Sequence, residues 1–150
     1  MTHAEKAKAL FENGCNCAQT VFLAFSDLTG MERETALKLS SSFGGGMGRM
    51  REACGAVSGA FLVAGLLYGT TDASTGEEKA AHYARIRELA AAFREQHGSI
   101  LCRELLGIAP ESDPTPSPRT KQYYQSRPCA ALCYDAAEIL DNYIDSHPIV

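Results

Sequence analysis

Apolar residues recur along this chain at the spacing of an α-helix, and this pattern limits the possible folds more than any other feature. In the clearest stretch, Ile86, Leu89 and Phe93 follow the i, i+3, i+7 order of one helical face. No stretch shows the alternation of apolar and polar residues that is typical of a half-buried strand. The sequence therefore predicts an all-α fold, a single-domain helical bundle of five to six helices.

Polar caps and glycines indicate where the helices begin and end. The spacing of a capping box occurs three times, at Thr2 with Glu5, Asn16 with Gln19, and Thr75 with Glu78. In a capping box two side chains satisfy the free N–H groups at the start of a helix. Glycines that suit a left-handed helix end follow at Gly14, Gly30, Gly98 and Gly107.

Residues 108–128 interrupt the helical pattern before the last helix. Five of the six prolines lie in this segment, at positions 110, 114, 116, 118 and 128. Loops of this length inside a compact domain are usually functional or mobile. Pro128 suits the first turn of the last helix, because proline needs no partner for an N–H group there. The sequence predicts a long Pro-rich loop that ends at this residue.

Length, composition and charge exclude several classes of protein. With 150 residues, of which 45% are hydrophobic, the chain fits one domain, 1–150, with its own core. The net charge of −4 and the dispersed basic residues argue against a nucleic-acid partner. The polar N-terminus lacks the apolar segment of a signal peptide, which predicts a cytoplasmic protein. Residues 53–71 carry no charge, but their glycines favour a buried central helix over a membrane span.

Four of the six cysteines stand where helices are expected to begin: Cys17, Cys54, Cys102 and Cys129. The N-terminus of a helix carries a partial positive charge, so a cysteine in the first turn is expected to have a lowered pKa. Arg51, Arg103 and Arg127 lie close to these cysteines in sequence and would stabilise a thiolate further. The pattern predicts that the fold gathers four reactive thiols at one end of the bundle.

The remaining candidates are a glycine run and two further cysteines. Gly44, Gly45 and Gly46 could bring backbone N–H groups close to an anion or a sulfur centre, or form a plain turn. Cys15 lies between a helix end and the next cap, and Cys133 lies one helical turn after Cys129. These two cysteines are additional to the four at helix starts.

Three functions compete for these residues. In the first, the thiols cycle between dithiol and disulfide, with Cys17 or Cys54 as the attacking thiolate and Cys102 and Cys129 as resolving thiols or a second pair. In the second, the same four cysteines ligate zinc or an iron–sulfur cluster. In the third, the cysteines only pack the core of a helical interaction module. The dithiol function needs no cofactor. Its partner is a redox protein or a small thiol. The sequence is also compatible with a homodimer.

Several motifs, taken together, resemble one known family. They are Asn16-Cys17-Ala18-Gln19, Phe43-Gly44-Gly45-Gly46-Met47-Gly48-Arg49, Cys54-Gly55-Ala56-Val57-Ser58-Gly59, Cys102-Arg103-Glu104-Leu105 and a last Cys129. In this order they resemble the C_GCAxxG_C_C family of redox-active proteins over nearly the whole chain. The resemblance implies a small helical domain whose four signature cysteines, Cys17, Cys54, Cys102 and Cys129, carry redox or metal chemistry. Met50-Arg51 departs from the family pattern, which usually has a glycine there.

Overall fold

The computed structural model of the protein describes residues 1–110 and 112–149. Within these ranges every secondary-structure element longer than one isolated β-bridge is a helix. The helices are α1 (His3–Glu12), α2 (Cys17–Ala24), α3 (Ser26–Thr29), α4 (Arg33–Ser40), α5 (Gly55–Tyr68), α6 (Gly76–His97), α7 (Cys102–Leu106), α8 (Lys121–Ser126) and α9 (Cys129–Ser146). A single 3₁₀ turn, Ser41–Phe43, follows α4. The all-α prediction is confirmed.

The described residues form nine α-helices, more than the five to six that the sequence predicts. One reason is a break at Phe25, whose backbone leaves helical geometry and separates α2 from the short α3. Another is α8, which lies within the segment predicted as a continuous Pro-rich loop. The Thr120 hydroxyl accepts a hydrogen bond from the N–H of Tyr123 and caps this helix.

The core is formed where α1, α2, α5 and α9 pack against one another. The helices α2 and α5 approach closely because Gly59 has no side chain: a Cβ atom there would lie 2.7 Å from the carbonyl oxygen of Ala18. Cys133, Ala137 and Leu140 of α9 are completely buried against them. The helix α6 packs against α9 and α5 and adds Leu89 and Phe93 to this core.

The uncharged segment 53–71 forms α5 and the ends that flank it. Most of the first half of α5 is buried in the protein, as expected for a central helix. Within the described residues, no helix has the length and apolar character needed to cross a membrane.

A short backbone pairing joins the chain before α5 to the chain before α7. The N–H of Cys54 donates to the carbonyl of Ile100 at 2.7 Å, and the N–H of Cys102 donates to the carbonyl of Glu52 at 2.7 Å. Ala53 and Leu101 form an isolated antiparallel bridge between the same two segments. The pairing places the start of α5 beside the start of α7.

Candidate functional site

All four cysteines that stand at helix starts line one pocket of about 360 Å³. The same lining contains the glycine run 44–46 and four arginines: Arg49, Arg51, Arg119 and Arg127. Pro114, Pro116 and Ser117 of the Pro-rich segment also line it. The pocket therefore lies between the starts of α2, α5, α7 and α9 and the segment that precedes α8.

The helix starts hold the cysteines as the sequence predicts. Cys17, Cys102 and Cys129 are the first residues of α2, α7 and α9. At α2 the side chain of Asn16 accepts from the N–H of Gln19 at 2.9 Å, which completes the expected capping box and orients the first turn. Cys54 directly precedes α5, and backbone N–H groups of the first turn lie near enough to its thiol to oppose the rise in its pKa.

On one side of the pocket the thiols contact one another. The thiol of Cys17 lies close enough to the thiols of Cys129 and Cys133 for each of them to shift its pKa. Behind them, the Thr20 hydroxyl lies 3.3 Å from the sulfur of Cys133. All six cysteines are free thiols in this structure, so the Cys17–Cys129 contact joins two reduced side chains.

On the other side the thiols face fixed donors. The N–H groups of Ala56 and Val57 point at the sulfur of Cys54, and Nη1 of Arg51 lies 3.6 Å from the sulfur of Cys102. Arg51 is only 3% exposed, so this contact is inside the protein. Arg51 is nearest to Cys54 in the sequence. In the structure it contacts Cys102, because the chain turns between Arg51 and α5.

The prediction of lowered thiol pKa values is wrong for all four cysteines. Burial raises the pKa of Cys54 to about 12, although the N–H groups of Ala56 and Val57 oppose the shift. Burial likewise raises the pKa of Cys102, against the opposing hydrogen bond from Arg51. The cost of removing a thiolate from water therefore exceeds the stabilisation that one helix terminus and one cation supply.

The contact between the thiols of Cys17 and Cys129 shifts their two pKa values in opposite directions. For Cys17, the hydrogen bond from Cys129 favours the thiolate, but the hydrogen bond to Cys133 and burial outweigh it, and the net pKa is raised. For Cys129, the hydrogen bond to Cys17 is the main cause of a raised pKa, followed by burial. Both thiols therefore have raised pKa values and stay protonated near neutral pH.

The arginines only partly follow the expectation from sequence. Arg127 lies close enough to Cys102 and Cys129 to favour both thiolates, whereas Arg103 binds the carboxylate of Glu52 at 3.1 Å instead of a thiol. Arg119, which comes from the Pro-rich segment, is not predictable as a pocket residue from the sequence. Its position depends on contacts with residues 11 and 15, more than 100 positions away, and no local sequence signal could have shown it.

The glycine run forms a tight left-handed turn over the pocket. The φ angle is positive at every residue from 45 to 49 and again at Arg51, and three of these residues, Met47, Arg49 and Arg51, are not glycine. Left-handed geometry at a non-glycine residue stores strain and often marks a functional segment. Gly46 is required by space as well, because a Cβ atom would lie 2.7 Å from the Cβ of Cys102.

The other candidate residues lie outside the lining of the pocket. Cys15 is half-buried, and its backbone carbonyl accepts a hydrogen bond from Arg119 at 2.9 Å. Cys133 is completely buried behind Cys17. Among the described residues, no three His, Cys, Asp or Glu side chains are arranged to hold a metal ion.

The fold and the pocket define a small all-helical protein with free thiols around a cationic cavity. A family model described as "Putative redox-active protein (C_GCAxxG_C_C)" matches residues 15–143, and the chain belongs to this family. The match spans all six cysteines and the glycine run. Neither a curated protein nor a solved structure matches the chain.

Proposed function

We propose that the protein is a thiol–disulfide redox protein and that Cys17 and Cys129 form its reactive pair. The observation that carries this proposal is the close approach of their two thiols, which interact side chain to side chain across the starts of α2 and α9 at the wall of the pocket. A disulfide requires that two sulfur atoms approach to bonding distance with little backbone movement. Two thiols that already interact directly meet this requirement best.

Exposure assigns the two roles. Cys17 is partly exposed at the pocket lining whereas Cys129 is buried, which makes Cys17 the attacking thiol and Cys129 the resolving thiol. The thiolate of Cys17 attacks a disulfide R–S–S–R, forms a mixed disulfide and releases one thiolate RS⁻. The sulfur of Cys129 then attacks Cys17, closes the protein disulfide and releases the second RS⁻. The protein loses two electrons and two protons, and the substrate disulfide becomes two thiols.

Cys54 and Cys102 stay reduced during this cycle in the proposed mechanism. Backbone N–H groups lie near the sulfur of Cys54, and the sulfur of Cys102 accepts from Arg51, so the neighbours of each are groups that do not exchange disulfides. Both residues are more than nine-tenths buried. Their expected contribution is to the shape of the pocket.

The test is to map the disulfide that forms. The fully reduced protein is treated with a stoichiometric amount of 2-hydroxyethyl disulfide, the remaining thiols are alkylated, and the bridged peptides are identified by mass spectrometry. We expect one bridge between Cys17 and Cys129 that dithiothreitol reduces again. Cys15→Ser is the control, because this residue lies outside the pocket lining and the variant should give the same bridge. A bridge between other cysteines, or none, would overturn the proposal.

A second function, binding of an iron–sulfur cluster, is supported by a separate observation. Four cysteines line one cavity of about 360 Å³ together with arginines that could offset the negative charge of a cluster. Cys17, Cys54, Cys102 and Cys129 would hold the cluster, and it would supply one-electron chemistry. Stoichiometric iron and acid-labile sulfide after anaerobic purification would establish this function over the dithiol. Protein without either element would exclude it.

A further inference from the structure

We propose that the pocket takes its substrate as an anion, namely a small disulfide or thiol that carries carboxylates. This inference deepens the proposed function and rests on it, because it names the substrate class of the same site. It rests on the charge, the geometry and the size of the cavity around Cys17 and Cys129.

The charge of the lining is strongly one-sided. Four arginines line the pocket, and its described lining residues include no aspartate and no glutamate. Elsewhere in the protein, cationic groups lie next to acids: Lys38 lies 3.3 Å from Glu34, and Arg103 lies 3.1 Å from Glu52. Near the pocket, Asp113 interacts electrostatically with Arg49 from the adjacent loop. A cavity with this lining attracts negative charge from solution.

Arg119 is held rigidly by neutral partners. Its Nη1 donates to the backbone carbonyl of Phe11 at 3.0 Å, and its Nη2 donates to the carbonyl of Cys15 at 2.9 Å. The guanidinium carbon also lies 4.4 Å from the centre of the Phe11 ring. These contacts orient the guanidinium without neutralising its charge. The guanidinium is therefore already ordered before an anion binds, so binding costs little further side-chain entropy.

Arg127, which lies just before the start of α9, is also oriented by an aromatic ring. Its guanidinium carbon lies 5.3 Å from the centre of the Tyr123 ring, and it favours the thiolates of both Cys129 and Cys102 through space. A carboxylate bound by Arg119 and Arg127 would lie at the lining beside Cys129. The disulfide of such a molecule would then be held next to the reactive pair.

The cysteines do not cancel the charge of the arginines. Because the pKa values of Cys17, Cys102 and Cys129 are raised, these thiols are neutral near pH 7. A disulfide between Cys17 and Cys129 is neutral as well. The pocket therefore keeps its positive charge in both redox states, which suits an enzyme that binds an anion before reaction and releases anions afterwards.

Size and burial favour a small molecule over a protein disulfide. A cavity of about 360 Å³ falls in the range of small-molecule pockets, which begins at roughly 300 Å³. The attacking thiol, Cys17, lies in the lining of this cavity and is only partly exposed, so a disulfide must enter the cavity to reach it, which favours a small molecule over the rigid loop of a folded partner. A flexible molecule with a disulfide between two short acidic arms fits both limits.

The test compares three disulfides of similar size that differ in charge: 3,3′-dithiodipropionate (anionic), 2-hydroxyethyl disulfide (neutral) and cystamine (cationic). Oxidation rates of the full-length reduced protein are measured at pH 7 and divided by the rates of the same disulfides with free 2-mercaptoethanol. We expect the anionic disulfide to be preferred over the cationic one by about tenfold or more, with the preference shrinking as salt is added.

Matched variants assign the preference to the pocket. Arg127→Gln should reduce the preference for the anion several-fold, and Arg127→Lys should keep most of it. Arg87→Gln is the control, because this exposed residue of α6 lies outside the lining and its loss changes the net charge by the same amount. Arg119→Gln provides a second pocket variant if Arg127→Gln does not fold.

Binding of an unreactive analogue separates the two proposals. Suberate has the length and the charge of 3,3′-dithiodipropionate but no disulfide, and calorimetry should show that it binds the reduced protein and binds Arg127→Gln more weakly. Equal relative rates for the three disulfides, equal effects of Arg127→Gln and Arg87→Gln, or no binding of suberate would overturn this inference. Failure of every disulfide to oxidise the protein while suberate still binds would overturn the proposed function instead.

Discussion

The two sides of the pocket hold their cysteines in different ways. On one side, the thiols of Cys17 and Cys129 interact directly with each other. On the other side, backbone N–H groups lie near the sulfur of Cys54, and Arg51 lies 3.6 Å from the sulfur of Cys102. Two thiols that already interact are placed to form a disulfide, whereas thiols beside fixed donors are not. A cysteine at the start of a helix can therefore belong to either group.

The difference shows that the neighbours of a helix start determine the chemistry of its cysteine. All four thiols have the same local placement at or before a first helical turn, and all four have raised pKa values because they are buried. What distinguishes them is the group that each sulfur contacts. Variants can test this distinction from both sides.

The largest expected effect comes from removing the resolving thiol. Cys129→Ser should leave a mixed disulfide on Cys17 and slow the release of the second substrate thiol by about 100-fold or more, since an intramolecular attack is lost. Cys54→Ser should change this rate by less than about threefold, because its sulfur takes no part in exchange. Stopped-flow oxidation with mass-spectrometric trapping measures both. Similar losses in the two variants would abolish the distinction between the two sides.

Gly46→Ala should distort the side that holds Cys102. An added Cβ atom would lie 2.7 Å from the Cβ of Cys102, at a residue with φ of 72°. We expect a loss of about 2–4 kcal/mol in the free energy of unfolding, from strain and overpacking together. Gly48→Ala is the matched control: its φ is 57° and no atom lies within 4 Å of the added Cβ, so the loss should be about 1 kcal/mol. Urea denaturation measures both values, and equal losses would contradict the packing shown here.

Alkaline pH should destabilise the reduced protein. The buried thiol of Cys54, with its pKa raised from 9.0 to about 12, stays protonated in the folded chain while the unfolded chain releases its proton. The stabilisation is complete below pH 9 and is lost between pH 9 and about 12, at up to about 1.4 kcal/mol per pH unit for one thiol. Urea denaturation between pH 8 and 10 should show a steeper loss for the wild type than for Cys54→Ala. Equal slopes in the two proteins would show that this thiol ionises freely when folded.

The smallest expected effect tests which thiol has its thiolate stabilised by Arg51. Arg51→Gln should slow alkylation of Cys102 by iodoacetamide at pH 8 by several-fold and at most by about tenfold, because the opposing hydrogen bond and charge are removed. Arg51→Lys, which keeps the charge, should lose less. Alkylation at each cysteine is read from peptide mass spectra. A change at Cys54 instead of Cys102 would restore the pairing that the sequence suggests.

Local features of the fold could be predicted from the sequence. The capping boxes of Thr2, Asn16 and Thr75 all form, and Gly98 and Gly107 end their helices in the left-handed conformation. The cap at Thr120 was missed because prolines dominate the segment before it. These features depend on residues only three or four positions apart, so the chain specifies them without reference to the rest of the fold.

The candidate site was predictable in its members but not in its chemistry. The sequence alone determined that four cysteines stand at helix starts and that a glycine run lies near them, because caps and turns are local. Only the tertiary structure decided that Cys17 contacts Cys129, that Arg51 serves Cys102, and that Arg119 joins the pocket. The tertiary structure also reversed the expected pKa shifts. Burial depends on the packing of distant segments, and it destabilises a thiolate more than the helix terminus stabilises it.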